Sequence, residues 1–595
     1  MSWALKQKAA ALLADEQGTV RKDWGGKIRI ALVYPNTYAV GMSNLGFQTI
    51  YWHLNQRPDV VCERVFLPAP EDLEEMERTG TAPFSLESLR PLSDFHMIGF
   101  SVTYEGDYIN VLRILDLAKI PLRPADRRDG DPLVLMGGVC AFSNPEPLAP
   151  FMDFVVVGEG EELVHELIEA YRDGYRDRRA FMDGLAAIEG VYVPDRYDVT
   201  YADDGTIADL FAANGASAAD GGSATGGAAA TGVPAIVRKR RLRDVNRFET
   251  ISMVKTPNAE YGHMALLEVG KGCGRGCRFC LEGQVYRPVR HRSVPSLGAT
   301  IAKFAESGEK RVGLVGACVS DYPWIGELLR EVDRAGLELS ISSLRADSLT
   351  EPLVTALARG GHRTLTIAPE AGTERLRRVI RKSISDEQIV TACDLVRRGG
   401  IPNLKTYFMI GQPTETAEDV EAIPELAARM LERLRVLDPD GRPFGRLTLS
   451  ISSFVPKPWT PFQWAPFDGA ESLSRKLETI KRGVRRFPNV RVLHENPREA
   501  ALQALLARGD RRVGAFLELA AKLRGDWRRA LRDWDGDADF YTTRAREIDE
   551  RLPWDHFDVG VKKAGLIREW DRARADDTVG VAPSDGAGRP EPIPS

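Results

Sequence analysis

This sequence has no long apolar run: nothing in its 595 residues approaches the roughly 20 residues that a membrane-crossing helix needs. The opening stretch MSWALKQKAAALLADEQGTVRK also lacks the apolar h-region of a secretory signal. Cysteine is scarce and odd in number, at seven residues, which excludes a disulfide framework and fits a reducing compartment. Charge of one sign is not in excess either. The formal net charge of −5 gives no ground for bulk attraction to nucleic acid or anionic membrane. These absences describe a cytoplasmic protein with no membrane partner.

The chain is too long for one core, and length alone favours roughly three or four domains. A hydrophobic content of 43% and a charged content of 28% are those of a globular protein. Residues 1–27 read as a helical segment. Residues 28–195 alternate apolar runs (KIRIALVYP, HMIGFSVTY, PLVLMGGV, FMDFVVVGEGE) with amphipathic stretches such as YINVLRILDLAK. This rhythm predicts an α/β fold whose N-terminal part is a doubly wound parallel sheet, with ligands beyond the carboxyl ends of its strands. Those ends carry Asn36, the Ser101–Thr103 segment, Gly137, Gly138 and the run Gly158-Glu159-Gly160-Glu161.

Residues 196–255 read as a linker. Within it, 212–233 is almost wholly Ala, Gly, Ser and Thr, a composition that cannot fill a core. The basic run RKRRLRD at 238–244 reads as a solvated strand or turn in preference to a nucleic-acid contact. A second βα series spans 256–497, with HMALLEVG, RVGLVGA, LELSISSLR, RTLTIAPEAG, IPNLKTYFMIG, RLTLSISSFVP and VRVLH as strands. About six such units predict a partial (βα)6 barrel with its reactive groups at the strand C-termini. Residues 498–575 read as helical, and 576–595 as a tail disordered by composition.

Three cysteines stand together in VGKGCGRGCRFCLEG: Cys273, Cys277 and Cys280. The surrounding glycines permit the tight loop this spacing needs. A structural zinc site shows two cysteine pairs or a pair with spaced histidines, and neither is present. Three thiolates are one short of the four that close a four-iron cluster, so one iron would keep an open position. Cys140, Cys318 and Cys393 lie in apolar surroundings and read as small packed hydrophobes. Trp554 and His556, in LPWDHFD, read as a packed aromatic beside a hydrogen-bonded histidine.

The spacing, with Phe279 directly before the last cysteine, matches the CxxxCxΦC signature, and with the strand series it resembles the radical S-adenosylmethionine (SAM) superfamily. The segments SVTYEGDY and MGGVCAFSNPEPLAPFMDFVVVGEGEE resemble a cobalamin-binding domain. Together they resemble the B12-binding-domain radical SAM proteins, and in particular a branch carrying PKPWTPFQW and LPWDHFDVGV. The likeness covers most of the chain. It implies a [4Fe–4S] cluster on Cys273, Cys277 and Cys280, with Phe279 beside it. It further implies SAM on the open iron, reductive cleavage of SAM to a 5′-deoxyadenosyl radical, and a reductant protein such as flavodoxin or ferredoxin. Phe279, Glu370, Ser342, Arg345 and Lys405 would contact SAM. Asn36, Ser101, Thr103, Gly137, Gly138, Gly158, Glu159 and Gly160 would contact cobalamin.

Two departures from the family pattern matter. The Gly-Gly-Glu run that binds the SAM amine is absent, since VGLVGAC offers only separated glycines. The DxHxxG motif of many cobalamin domains is replaced by YPNTYAVGMSNLG, which holds no histidine. Either cobalamin binds without a histidine lower ligand, the preferred reading, or the fold persists without the cofactor. The leading expectation is a cobalamin-dependent methyltransferase acting on an unactivated carbon. One alternative is a radical SAM rearrangement, cyclisation or other non-methylating reaction. Another is a non-catalytic cluster-bearing assembly or RNA-associated protein. Methylthiotransferases fit less well, because Cys62 and Cys140 cannot form a second triad.

Overall fold

The computed structural model describes residues 2–212, 233–341 and 344–578. The Ala/Gly-rich stretch, apart from its two end residues, most of the C-terminal tail and Ser342 lie outside the described residues.

The N-terminal sheet contains β1 (Ile28–Tyr34), β2 (Val60–Phe66), β3 (Met97–Ser101), β4 (Leu133–Gly137), β5 (Phe154–Val156) and β6 (Val191–Tyr192) in the order β2-β1-β3-β4-β5-β6. The first five run parallel and β6 is antiparallel to β5. Helices cover both faces, which is why strands such as IRIALVY are nearly continuous apolar runs. The order reverses between β1 and β3, so their carboxyl ends diverge and leave a crevice. Helix Leu45–Gln56 begins at that crevice, where the Asn44 side chain accepts from Phe47 N at 2.9 Å and caps an otherwise unpaired donor.

Residues 196–255, expected as a linker, instead hold an antiparallel hairpin of β7 (Tyr197–Tyr201) and β8 (Ile207–Ala212), followed by β9 (Val237–Arg238). Its signal was the alternation in YDVTY and IADLFA around an Asp-Asp-Gly turn.

The barrel has seven parallel strands in two sheets. β10 (Ala265–Glu268), β13 (Arg311–Val315) and β14 (Glu338–Ile341) form one sheet. β15 (Thr364–Glu370), β16 (Asn403–Ile410), β17 (Arg446–Ser453) and β18 (Val490–His494) form the other. A bridge from Leu344 to Ile367 connects them. Two short strands, β11 (Gly270–Lys271) and β12 (Arg290–His291), pair antiparallel across the base of the cysteine loop.

The helical C-terminal region is not a separate unit. Phe516, Leu517, Trp554 and Phe557 belong to the same apolar core as the N-terminal sheet, and β19 (Phe557–Asp558) pairs with β9. The unusual motifs supply the joint. Gln463 Oε1 accepts from Trp459 N at 2.9 Å and from Trp554 Nε1 at 3.0 Å. Trp459 Nε1 donates to Ser143 O, and Asn144 Nδ2 donates to Ala507 O and Gly509 O. Lys457 meets Glu105 at 2.5 Å in a buried ion pair. His556 is packed as expected, 1% exposed and tilted against Phe557 and Tyr192. Neither of its ring nitrogens makes a hydrogen bond, because Nε2 stops 3.5 Å from Glu146 Oε1, whose carboxylate is taken by Tyr192 and Arg511.

Candidate cofactor site

The cysteine loop follows β10 and β11, at the carboxyl end of the first barrel strand. Gly272 opens it at φ +86°, and a Cβ there would meet Tyr286 O at 2.4 Å, so only glycine fits. Arg278 anchors the loop from within. Its guanidinium is buried and donates to Val379 O at 2.7 Å, Asp576 Oδ2 at 2.8 Å and Glu569 Oε2 at 3.1 Å. The loop is thereby tied to helix Glu374–Val379 and to the last helix, Lys563–Thr578. Arg275, on the outside, makes a two-point contact with Asp321 at 2.6 Å.

Burial pushes the Cys277 thiol up, and the charges of Lys382 and Arg345 pull against it. Burial pushes the Cys280 thiol up to about 12, opposed by a hydrogen bond from the Gly283 backbone. Such thiols are protonated alone and lose their protons on binding a metal. Among the described residues no three His, Cys, Asp or Glu side chains form a group that could hold a single metal ion. A four-iron cluster does not need that convergence, since each cysteine bonds a different iron. The donor set of three partly enclosed thiols on a glycine loop fits the cluster.

Glu370 ends β15 at φ +71°, beside a register shift between Ile367 and Glu370. A non-glycine residue in that region marks a constrained position. Its carboxylate meets Lys382 Nζ at 3.0 Å, and its carbonyl accepts from Gln412 Nε2 at 3.1 Å. Gln412 Oε1 is buried without a partner. Arg345 makes a two-point contact with Asp347 at 2.9 Å and donates to Lys382 O at 3.1 Å. Cys277, Arg345, Glu370 and Lys382 are therefore neighbours. Lys382 was missed, because only the helical turn Glu374–Val379 carries it back to Glu370.

Two expected SAM contacts lie elsewhere. Lys405 pairs in register with Thr366, and Glu370 pairs with Phe408. Lys405 thus sits three residues below Glu370, about 10 Å at the rise of a strand, with its ammonium 3.1 Å from Tyr407 Oη. Phe279 packs into a small apolar core with residues such as Leu376, Phe462 and Trp570, where it anchors the loop.

A cavity of about 540 Å³ lies between the carboxyl edge of the N-terminal sheet and that of the barrel. Ser101, Thr103, Gly137, Gly138, Gly158, Glu159 and Gly160 all line it. Across from them stand Glu268, Gly270, Lys271, Gly272, Glu282 and Tyr286, around the cysteine loop, together with Val315, Gly316 and Ala317 at the end of β13. Nine of the lining residues are glycines, which lets a ligand approach backbone closely. Asn36 is not among them. Its amide donates to Asp107 Oδ1 at 2.9 Å, a half-buried pairing. Asn44, Gly46 and Thr49 of the first crevice helix line the wall and were missed. The Thr49 hydroxyl is buried without a partner. No histidine occurs among the lining residues.

The polar wall is arranged by ion pairs. Glu159 receives both terminal nitrogens of Arg290, at 2.6 and 2.7 Å, and also accepts from Leu242 N at 2.7 Å. Lys271 meets Glu161 at 3.0 Å. Burial works against the Lys271 charge, but Glu268, Glu161 and Glu159 outweigh it and its pKa is raised. Glu282 lines the cavity, and burial and then the Glu268 charge push its carboxyl above the usual range.

Residues 267–427 match the family described as the radical SAM superfamily, and residues 46–194 match the one described as the N-terminal region of radical SAM proteins. The chain carries a radical SAM domain. Relatives include an uncharacterised protein of Methanocaldococcus jannaschii, 29% identical over 82% of this chain and 90% of that one. A ribosomal protein uS12 methylthiotransferase of Thermotoga is 24% identical over 30% of this chain and 44% of its own. Among solved structures, the radical SAM methyltransferase TsrM of Kitasatospora setae, with cobalamin and a [4Fe–4S] cluster bound, is 17% identical with a TM-score of 0.46, covering 74% of each chain. The cobalamin-dependent enzyme OxsB is also 17% identical, with a TM-score of 0.44 over 69% of this chain and 52% of that one. No described helix is long and apolar enough to cross a membrane.

Proposed function

We propose that the chain is a cobalamin-dependent radical SAM methyltransferase acting on an unactivated carbon. Cys273, Cys277 and Cys280 would hold the cluster, Glu370 and Arg345 would contact SAM, and the glycine-floored cavity would take the cobalamin. The observation that carries this reading is the cavity itself, bounded on one side by the N-terminal sheet and on the other by Gly272, Glu282 and Tyr286, which flank the three cysteines in sequence. When bound, these groups supply one-electron cleavage chemistry and a transferable methyl group.

The chain's own residues supply position and environment. The Lys382 ammonium keeps the Glu370 carboxylate oriented and favours the thiolate of Cys277. Leu32, Phe100, Leu135 and Val156 make the cavity wall apolar, which keeps water from a reactive carbon. The absence of histidine from the described lining agrees with a cobalamin held by shape and without an imidazole ligand. The test is anaerobic reconstitution with iron, sulfide and hydroxocobalamin, followed by desalting. One cobalamin per chain with methyl transfer from isotopically labelled SAM supports the reading. Cluster formation and SAM cleavage with no retained cobalamin would replace it with the non-methylating alternative.

A further inference from the structure

The run Arg238–Asp244, expected as a solvated turn, is built into a cleft. Val237 and Arg238 pair in parallel with Phe557 and Asp558. Two residues on, Arg240 N donates to Val157 O at 2.9 Å and Glu159 N donates to Arg240 O at 3.1 Å. The segment therefore stitches the C-terminal region to the edge of the N-terminal sheet. Lys239 and Leu242 face inward, while Arg238, Arg241 and Arg243 are exposed.

The cleft has a volume of about 620 Å³, and Arg238, Lys239, Arg240, Arg241, Arg243 and Arg247 border it. Four carboxylates do so too, Glu162, Glu189, Asp244 and Asp558. Cations outnumber carboxylates along its border. Arg247 is paired with Glu162, and Arg240 with Glu166 outside the cleft. Asp244 and Asp558 cap backbone amides of Asn246 and Gly560, each at 2.9 Å. Among the described residues, Arg238, Arg241 and Arg243 have no carboxylate partner.

Lys239 is the second, independent observation. It is only 9% exposed, its ammonium lies 4.4 Å from the ring centres of both Phe142 and Tyr286, and it donates to Val285 O at 2.8 Å. No carboxylate pairs with it, and burial pulls its pKa down to about 8. Phe142 and Tyr286 are also walls of the larger cavity. A buried cation with no carboxylate in contact thus borders both the cavity and the basic cleft, where an anion would relieve the cost of its burial.

We propose that this cleft is a binding subsite for a phosphate group. A phosphate monoester carries about −1.5 to −2 charge, which the three arginines without carboxylate partners can offset. Guanidinium groups contact its oxygens in paired, charge-assisted hydrogen bonds. The phosphate can belong to a small ligand or to an RNA backbone, and the two sources are separable. The subsite stands on residues apart from the cluster and SAM contacts, so it survives if the cofactor reading fails.

Full-length protein is titrated with pyrophosphate by calorimetry, alongside the Arg238→Gln/Arg241→Gln/Arg243→Gln variant. The expected result is saturable binding that weakens at least tenfold in the variant. A single-stranded RNA 12-mer is titrated in parallel. RNA binding at least tenfold tighter than pyrophosphate, and lost in the variant, assigns the phosphate to nucleic acid. Equal affinities assign it to a small ligand. Should the triple variant fail to fold, Arg243→Glu, at an exposed position, must still weaken binding. Affinity for both probes unchanged in a folded variant overturns the subsite.

Discussion

Replacing Arg290 by leucine removes the partner of a carboxylate that has almost no access to water. The two side chains are 9% and 4% exposed and meet at two points, 2.6 and 2.7 Å apart. Breaking a buried pair from one side costs about 3–5 kcal/mol, because the remaining charge stays desolvated. Glu159 would keep only the Leu242 amide as donor. Its segment should therefore open more readily, and the cavity rim with it. At about 1.4 kcal/mol per factor of ten, exchange of the Leu242 and Glu159 amides should accelerate by about a hundredfold or more. Hydrogen exchange with mass spectrometry reads this directly, without assuming two-state unfolding of a large chain. The double variant Arg290→Leu/Glu159→Gln should recover most of the protection, because neither charge of the pair remains and the glutamine oxygen still accepts from Leu242 N. Iron content should be unchanged, since Arg278 anchors the cysteine loop separately. Unaltered exchange in Arg290→Leu, or a double variant as exposed as the single one, would refute the assignment of this pair as the rim's fastening.

Three further outcomes follow from the same structure. Gly158→Ala forces a side chain onto φ +128° with its Cβ 2.2 Å from Arg240 O, a strain of about 2–3 kcal/mol; thermal scans should show lower stability, and reconstitution less retained cobalamin. Lys382→Met should weaken SAM binding, measured by equilibrium dialysis on the iron-loaded protein, more than Lys405→Met does, because Lys382 touches Glu370 and Lys405 lies three residues below it. Asp107, pushed up to about 6 by burial against the pull of Asn36 and Asn110, binds a proton in the folded state between roughly pH 4 and 6 where an unfolded aspartate does not; stability therefore falls as pH rises through that window, and melting curves of Asp107→Asn should lose that slope.

Much of the architecture was legible because periodicity reports burial. The near-continuous apolar runs of β1 and β3, and the βα rhythm after Ala265, follow from strands covered on both faces. The cysteine loop was legible because its chemistry is local in sequence. Seven of the eight expected cobalamin contacts line one cavity because the ends of parallel strands are brought together by the topology itself. Asn36 stands outside that lining because its amide is held by Asp107, set by a distant turn. Arg290 was invisible because it acts through Glu159, far away in the chain; Lys239, inside the noted basic run, packs on the distant Phe142 and Tyr286, and Lys382 depends on the helical turn that folds it back to Glu370. The hairpin of β7 and β8 was overlooked because the low-complexity stretch beside it dominated the composition.

The central claim is that the cysteine loop holds a cluster that cleaves SAM beside the interdomain cavity. The most direct test is formation of 5′-deoxyadenosine, measured by mass spectrometry, after anaerobic reconstitution and reduction by dithionite in the presence of SAM. Wild-type protein is predicted to produce it, and Cys277→Ala to lose both the cluster absorbance and the product. Wild-type protein that retains no iron, or a Cys277→Ala variant that forms the product at the wild-type rate, would contradict the account.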